Sequence, residues 1–201
     1  HRLFQHPKAA PFFTALLIFT IIAALSLLRA LTFLDLSAVI SASLYLIRFL
    51  LYAALYFITL QTASTQKDLI NLIIAITISG LLLSIAGFIQ LALYPDLQNL
   101  EKLGYDPHLN RLVSTWLDPN FLGGLLAFIT SLLTGILIFT KKHPRQFTLL
   151  LTAIAILLPA LFLTYSRSAY LALLTAIFII SLFASRKLLI ITLIFFSIGI
   201  T

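Results

Sequence analysis

The segment FTLLLTAIAILLPALFLTYSRSAYLALLTAIFIISLFA, residues 147–184, decides the fold. It consists of two apolar runs parted only by Ser166-Arg167-Ser168. As one helix it would measure about 57 Å at 1.5 Å per residue, almost twice the roughly 30 Å hydrocarbon core of a bilayer. The chain must therefore break at the serines. The spacing predicts two spans, 147–165 and 168–184, joined by a tight hairpin. Applied outward, the requirement for roughly 20 apolar residues per crossing places further spans at 11–28, 36–60, 69–94, 121–140 and 188–201. The expected fold class is all-α, a polytopic transmembrane helix bundle of about seven spans. It forms a single domain over 1–201, with one long loop at 95–120.

Composition agrees with this reading. Hydrophobic residues make up 61% of the chain and charged residues only 9%, with a mean hydropathy of +1.12. A soluble domain carries about 25% charged residues, so a water-facing surface cannot be built here. The net charge of +7 would suggest nucleic acid in a soluble protein. In this chain the basic residues sit between apolar runs, where they set orientation, and no nucleic-acid partner is expected. Cysteine is absent, which excludes disulfides and thiolate chemistry. Methionine is absent too, the chain starts at His1, and Leu188 to Thr201 stop inside an apolar run; the sequence reads as a fragment open at both ends. Pro11 to Leu28 lacks a small-residue cleavage site after it, so a retained helix is expected in place of a signal peptide.

Charge counting tests the hairpin. Seven alternating spans put Arg2, Lys8, Lys67, Lys141, Lys142, Arg145, Arg186 and Lys187 on one side, against a single acid, Asp68. The other side holds Arg29, Lys102, Arg111 and Arg167 against Asp35, Asp96, Glu101, Asp106 and Asp118. The positive-inside rule makes the first side, with the N-terminus, cytoplasmic. Without the hairpin, the basic clusters at 141–145 and 186–187 would face opposite compartments. The 95–120 loop is then extracytoplasmic and holds four of the six acids. It opens with a turn at Tyr94-Pro95-Asp96 and ends at Asp118-Pro119, a carboxylate N-cap followed by proline at the first helical position.

Of thirteen Lys and Arg residues, only Arg48 lies inside a span. A mid-bilayer Arg costs about 2.5–3.5 kcal/mol on insertion scales, so it is expected to face the bundle interior. Ser41, Tyr45, Arg48, Tyr52 and Tyr56 share one helical face. That stripe reads either as a structural tie between helices or as the wall of a polar cavity. Gly80, Ser84 and Gly87, with Gln90 a turn further out, and Gly123, Gly124, Ala127, Ser131 and Gly135 read as small-residue packing faces. Pro159 is expected to bend its span.

Arg111 precedes the outer N-terminus of the fourth span, and Arg167 sits at that of the sixth, where Ser166 or Ser168 can cap. Two helix N-termini with free N–H groups and two guanidiniums would suit a phosphate or pyrophosphate. The alternative is ordinary interfacial Arg paired with Asp118 or another loop acid. Trp116 reads as an interfacial anchor. His1, His6, His108 and His143 show no metal-ligand spacing, and neither a metal nor a cofactor is expected.

The stretch Arg111-Leu-Val-Ser-Thr-Trp-Leu-Asp-Pro-Asn120-Phe-Leu-Gly-Gly resembles a pattern of the O-antigen ligase and O-antigen polymerase superfamily, in which an Arg, a "G/S-T-F/W" segment and a "P-N" pair lead into a helix. Further on, Leu163-Thr-Tyr-Ser-Arg167-Ser-Ala-Tyr looks like that family's "T-x-S-R-G/S-A" element. The resemblance covers roughly residues 40–185. It implies a metal-independent glycosyltransferase on the outer face of the bacterial cytoplasmic membrane. The donor would be a glycan on a polyprenyl-diphosphate carrier, and the acceptor a glycan or lipid in cell-surface polysaccharide synthesis. It carries the diphosphate-binding role onto Arg167 and Arg111, and the ordering of the helix start onto Asn120. Ser168 replaces a glycine common in the family. The family's general base, a His in a large outer loop, has no counterpart among the four His residues, so no catalytic residue is expected in this chain. Two rivals fit the same composition. One is a polytopic transporter or lipid-linked glycan flippase with Arg48 and the Tyr stripe lining a path. The other is a non-catalytic membrane scaffold.

Overall fold

The computed structural model describes residues 10–139 and 144–185, together with 187, 189, 190 and 192. Six α-helices run through them: α1 (Ala10–Ala30), α2 (Leu36–Thr62), α3 (Gln66–Leu93), α4 (Pro119–Phe139), α5 (Pro144–Leu163) and α6 (Arg167–Ala184). Each is long and apolar enough to cross a bilayer. A helix satisfies its own backbone groups, which is why helices cross hydrocarbon as single segments. The all-α polytopic class follows, with helix ends within a few residues of those expected from hydropathy. The seventh expected span, 188–201, lies almost wholly outside the described residues, as do Arg2, Lys8, Lys141, Lys142 and Arg186.

The chain divides into two compact units, residues 1–72 and 73–201. In the first, α1 and α2 form an antiparallel pair joined by rings: Phe12 packs on Tyr56 at 4.6 Å and Phe19 on Phe49 at 4.8 Å between centroids. Between them runs an open groove of about 330 Å³ lined by Phe19, Ala23, Tyr45 and Phe49 among others. Within this unit Arg48 is exposed, and its Nε donates to Tyr52 Oη on its own helix at 2.9 Å. α1 covers the side of α2 that carries Phe49 and Tyr56, and Arg48 lies on the flank of that side. The start of α3 is fixed by a reciprocal capping box, in which Asp68 accepts from Thr65 N and Oγ1 and donates its own N–H to Thr65 Oγ1.

In the second unit α4 is central and packs against both α5 and α6. Leu122, Leu126, Ile129 and Leu133 of α4 and Leu157 and Leu161 of α5 are fully buried, and so is Leu112 from the loop. Lipid is as apolar as leucine, so close fit supplies the association energy here, and small residues permit it. Gly80 admits Ile129 and Leu157, and Gly87 admits Leu112, whose Cγ would lie 2.7 Å from an added Cβ. Gly123 faces Ala169 at the start of α6, and Gly135 faces Ile180 near its end. Hence α4 and α6 run parallel in direct contact, and α5, which links them in the chain, runs back along α4. The hairpin expected at Ser166-Arg167-Ser168 is present, with its turn over 164–166 and Arg167 already in α6. Tyr165 turns the chain with φ +50°, and Ser166 caps α6 by accepting from Ala169 N. Pro159 lies inside α5, where its missing N–H leaves one carbonyl without its helical donor.

Candidate functional site

Three chain segments meet at one end of the second unit: the loop before α4, the first turn of α4, and the α5–α6 turn. The loop is held at both ends by one side chain, Gln90 on α3. Its Oε1 accepts from Val113 N at 3.0 Å and Ser114 N at 3.4 Å, while its Nε2 donates to the Tyr94 carbonyl at 2.9 Å. Ser114 Oγ adds a bond to the Leu83 carbonyl at 2.8 Å. Between these ends the loop folds on itself. Asp96 pairs with Leu109 in an isolated antiparallel bridge, and a 3-10 turn over Gln98–Leu103 closes on Gly104 with φ +84°.

So anchored, the loop delivers Arg111 to the α5–α6 turn. Arg111 is half-buried. Its Nε donates to the Thr164 carbonyl at 2.9 Å, and its Nη2 donates to the Tyr165 carbonyl at 3.2 Å and to Asn120 Oδ1 at 3.4 Å. Leu112 N also donates to the Leu163 carbonyl at 2.8 Å. The carbonyl of Leu163, at the end of α5, and those of Thr164 and Tyr165 in the turn thus find donors in the loop. Arg111 does not pair with Asp118. It uses most of its fork on the protein and leaves Nη1 free among the described residues. Arg167 differs. It begins α6 two residues after Tyr165, within about 7 Å of chain, is exposed, and has no hydrogen-bond or ion-pair partner among the described residues.

The two helix starts are not equivalent, contrary to the sequence expectation of donors at both. At α4, proline has no N–H, and Asp118 Oδ1 accepts from Asn120 N at 2.8 Å and Phe121 N at 3.1 Å. That end already holds its carboxylate, so it offers nothing to an added anion. At α6, Ser166 caps Ala169 N alone, and the N–H groups of Arg167 and Ser168 have no acceptor among the described residues. Ser166 itself is fully buried and bonded to Ser168 Oγ at 3.1 Å. Its place is that of a cap, below the surface a ligand would touch.

Of the residues singled out in the sequence, Arg111, Asn120, Ser166 and Arg167 come together at this corner, while Arg48 belongs to the other unit. Sequence reasoning set Gln90 among packing residues and passed over Thr164 and Tyr165. A long amide inside an otherwise apolar run, one turn before a loop, was the available signal for Gln90. The carbonyls of Thr164 and Tyr165 left none, because backbone acceptors are the same in every residue. Fold and site together define a multi-pass membrane protein with a cationic corner at one end of its helices. Comparison with family models, curated proteins and solved structures finds no match.

Proposed function

We propose that this protein is a membrane glycosyltransferase of the O-antigen ligase and polymerase type, binding a polyprenyl-diphosphate-linked glycan at the Arg167 corner. The observation that supports this reading is the convergence of the two family-like elements. The side chain of Arg111, from the first, lies on the carbonyls of Thr164 and Tyr165, from the second. In this reading Arg167, the free N–H groups of Arg167 and Ser168, and Arg111 Nη1 take the diphosphate oxygens. They stabilise the charge that grows on the diphosphate as the glycosidic bond breaks. The bond forms to an acceptor hydroxyl, whose proton leaves to a base outside this corner. The same reading places the corner and the 95–120 loop on the outer face of a bacterial cytoplasmic membrane, with the N-terminus inside.

The test is binding and transfer by Arg167 variants. In lipid nanodiscs, Arg167→Ala is expected to weaken farnesyl diphosphate by roughly tenfold or more, the scale of one charge-assisted contact. Arg167→Lys should recover little, since an ammonium cannot hold two oxygens in one plane. In native membranes both variants should lose glycan transfer at normal expression. Normal transfer by both would remove the diphosphate role.

A further inference from the structure

Next to the cationic corner, Trp116 and Phe121 stack with ring centroids 4.5 Å apart and planes only 19° from parallel. Leu117 and Asp118 account for the pairing. Leu117 adopts φ +55°, which turns the chain back between the 3-10 turn Ser114–Trp116 and α4, and Asp118 then fixes the first turn of α4. Both rings stay open, Trp116 at 43% and Phe121 at 49% exposure. Exposed apolar side chains are common along these helices; what sets this pair apart is that its rings stack, where the other described ring contacts are tilted or edge-on. Its rim is polar. Asn120, between Phe121 and Pro119, is exposed and spends its Oδ1 on Arg111, leaving its two N–H donors without partners among the described residues. Asp118 and Thr115, close to the two rings in the chain, are also exposed.

We infer that the Trp116–Phe121 stack is a sugar-binding platform, with a pyranose ring as its occupant. The negative face of an aromatic ring attracts the polarised C–H groups on the flat side of a pyranose, while the equatorial hydroxyls need donors and acceptors at the edge. Asn120 and Asp118 supply both. An interfacial anchor needs neither the stacking nor the polar border. Continuity with the corner gives the platform its place: Asn120 joins the two, so a glycan lying on the rings would have its diphosphate end toward Arg111 and Arg167. The inference rests on the proposed function for that direction, and on its own geometry for the sugar.

Trp116 is the single tryptophan in the chain, so its emission reports this platform alone. In nanodiscs, chitotetraose is expected to change Trp116 emission saturably. Phe121→Ala should weaken that response by roughly tenfold, the scale of one aromatic contact, while Phe121→Tyr should restore it. Arg167→Ala should weaken farnesyl diphosphate binding by roughly tenfold or more, with a much smaller effect on chitotetraose. Absence of any chitotetraose response, or quenching of Trp116 by brominated lipids as strong as that of a bilayer-inserted indole, overturns the platform. If chitotetraose binds and farnesyl diphosphate does not, the platform stands and the diphosphate reading falls.

Discussion

Gly123 and Gly124 are neighbours on α4 with opposite surroundings. A Cβ on Gly123 would lie 2.9 Å from both Ala169 Cβ and Thr164 Oγ1 and 3.1 Å from Ser166 Cβ, whereas a Cβ on Gly124 meets nothing within 4 Å. Because the α5–α6 turn is pinned by Arg111, it has little freedom to retreat. Gly123→Ala is expected to cost about 1–3 kcal/mol, the range for overpacking. Gly124→Ala should be neutral or gain up to about 1 kcal/mol from helix propensity. Thermal unfolding of the two variants in detergent checks the pair, and equal stabilities would contradict the described contact. Neither residue differs from the other in local sequence signal. The division of roles at the corner was equally hidden: both Arg111 and Arg167 look like anion ligands in sequence, yet one spends its donors on three protein oxygens and the other keeps all of them.

Elements here are joined through single polar side chains. Gln90 ties α3 to both ends of the long loop, and no other contact described does this. Gln90→Leu leaves the N–H groups of Val113 and Ser114 without their acceptor, a loss of about 1–3 kcal/mol for buried donors. Gln90→Glu keeps the acceptor and should lose less. Hydrogen exchange at residues 111–114 is the direct readout, with faster exchange expected in the leucine variant; unchanged exchange would show that Gln90 does not hold the loop. Caps act at the same scale. Ser166→Ala should cost about 1 kcal/mol, the usual cost of a lost N-cap, and should loosen the start of α6. Hairpin, caps and span positions were legible in the sequence because each depends on a few adjacent residues. Gln90 was not, because its partners lie 23 and 24 residues away.

At the scale of the molecule, the absence of cysteine from the chain makes orientation directly measurable. His108→Cys in the long loop is expected to react with a membrane-impermeant maleimide in intact cells, and Ser64→Cys, between α2 and α3, only after permeabilisation. The reverse pattern would invert the charge-based assignment. Hydropathy alone determined that this chain crosses a membrane repeatedly and that it must reverse at Ser166. A bilayer's thickness is a fixed length and helix rise a fixed increment, so run lengths translate directly into spans. Only the tertiary structure decided which polar residues meet. An Arg stands near the start of both α4 and α6 in the sequence, although Asp118-Pro119 already marks the first as capped by its own carboxylate. The fold separates them, because Asp118 folds back onto α4 while the α5–α6 turn, braced by a guanidinium 53 residues away from Thr164, leaves Arg167 and two N–H groups open. The cap on α4 is local, two and three residues long, and is legible as Asp118-Pro119; the brace on the α5–α6 turn comes from a contact distant in sequence, where local pattern carries no record of which donors are already taken.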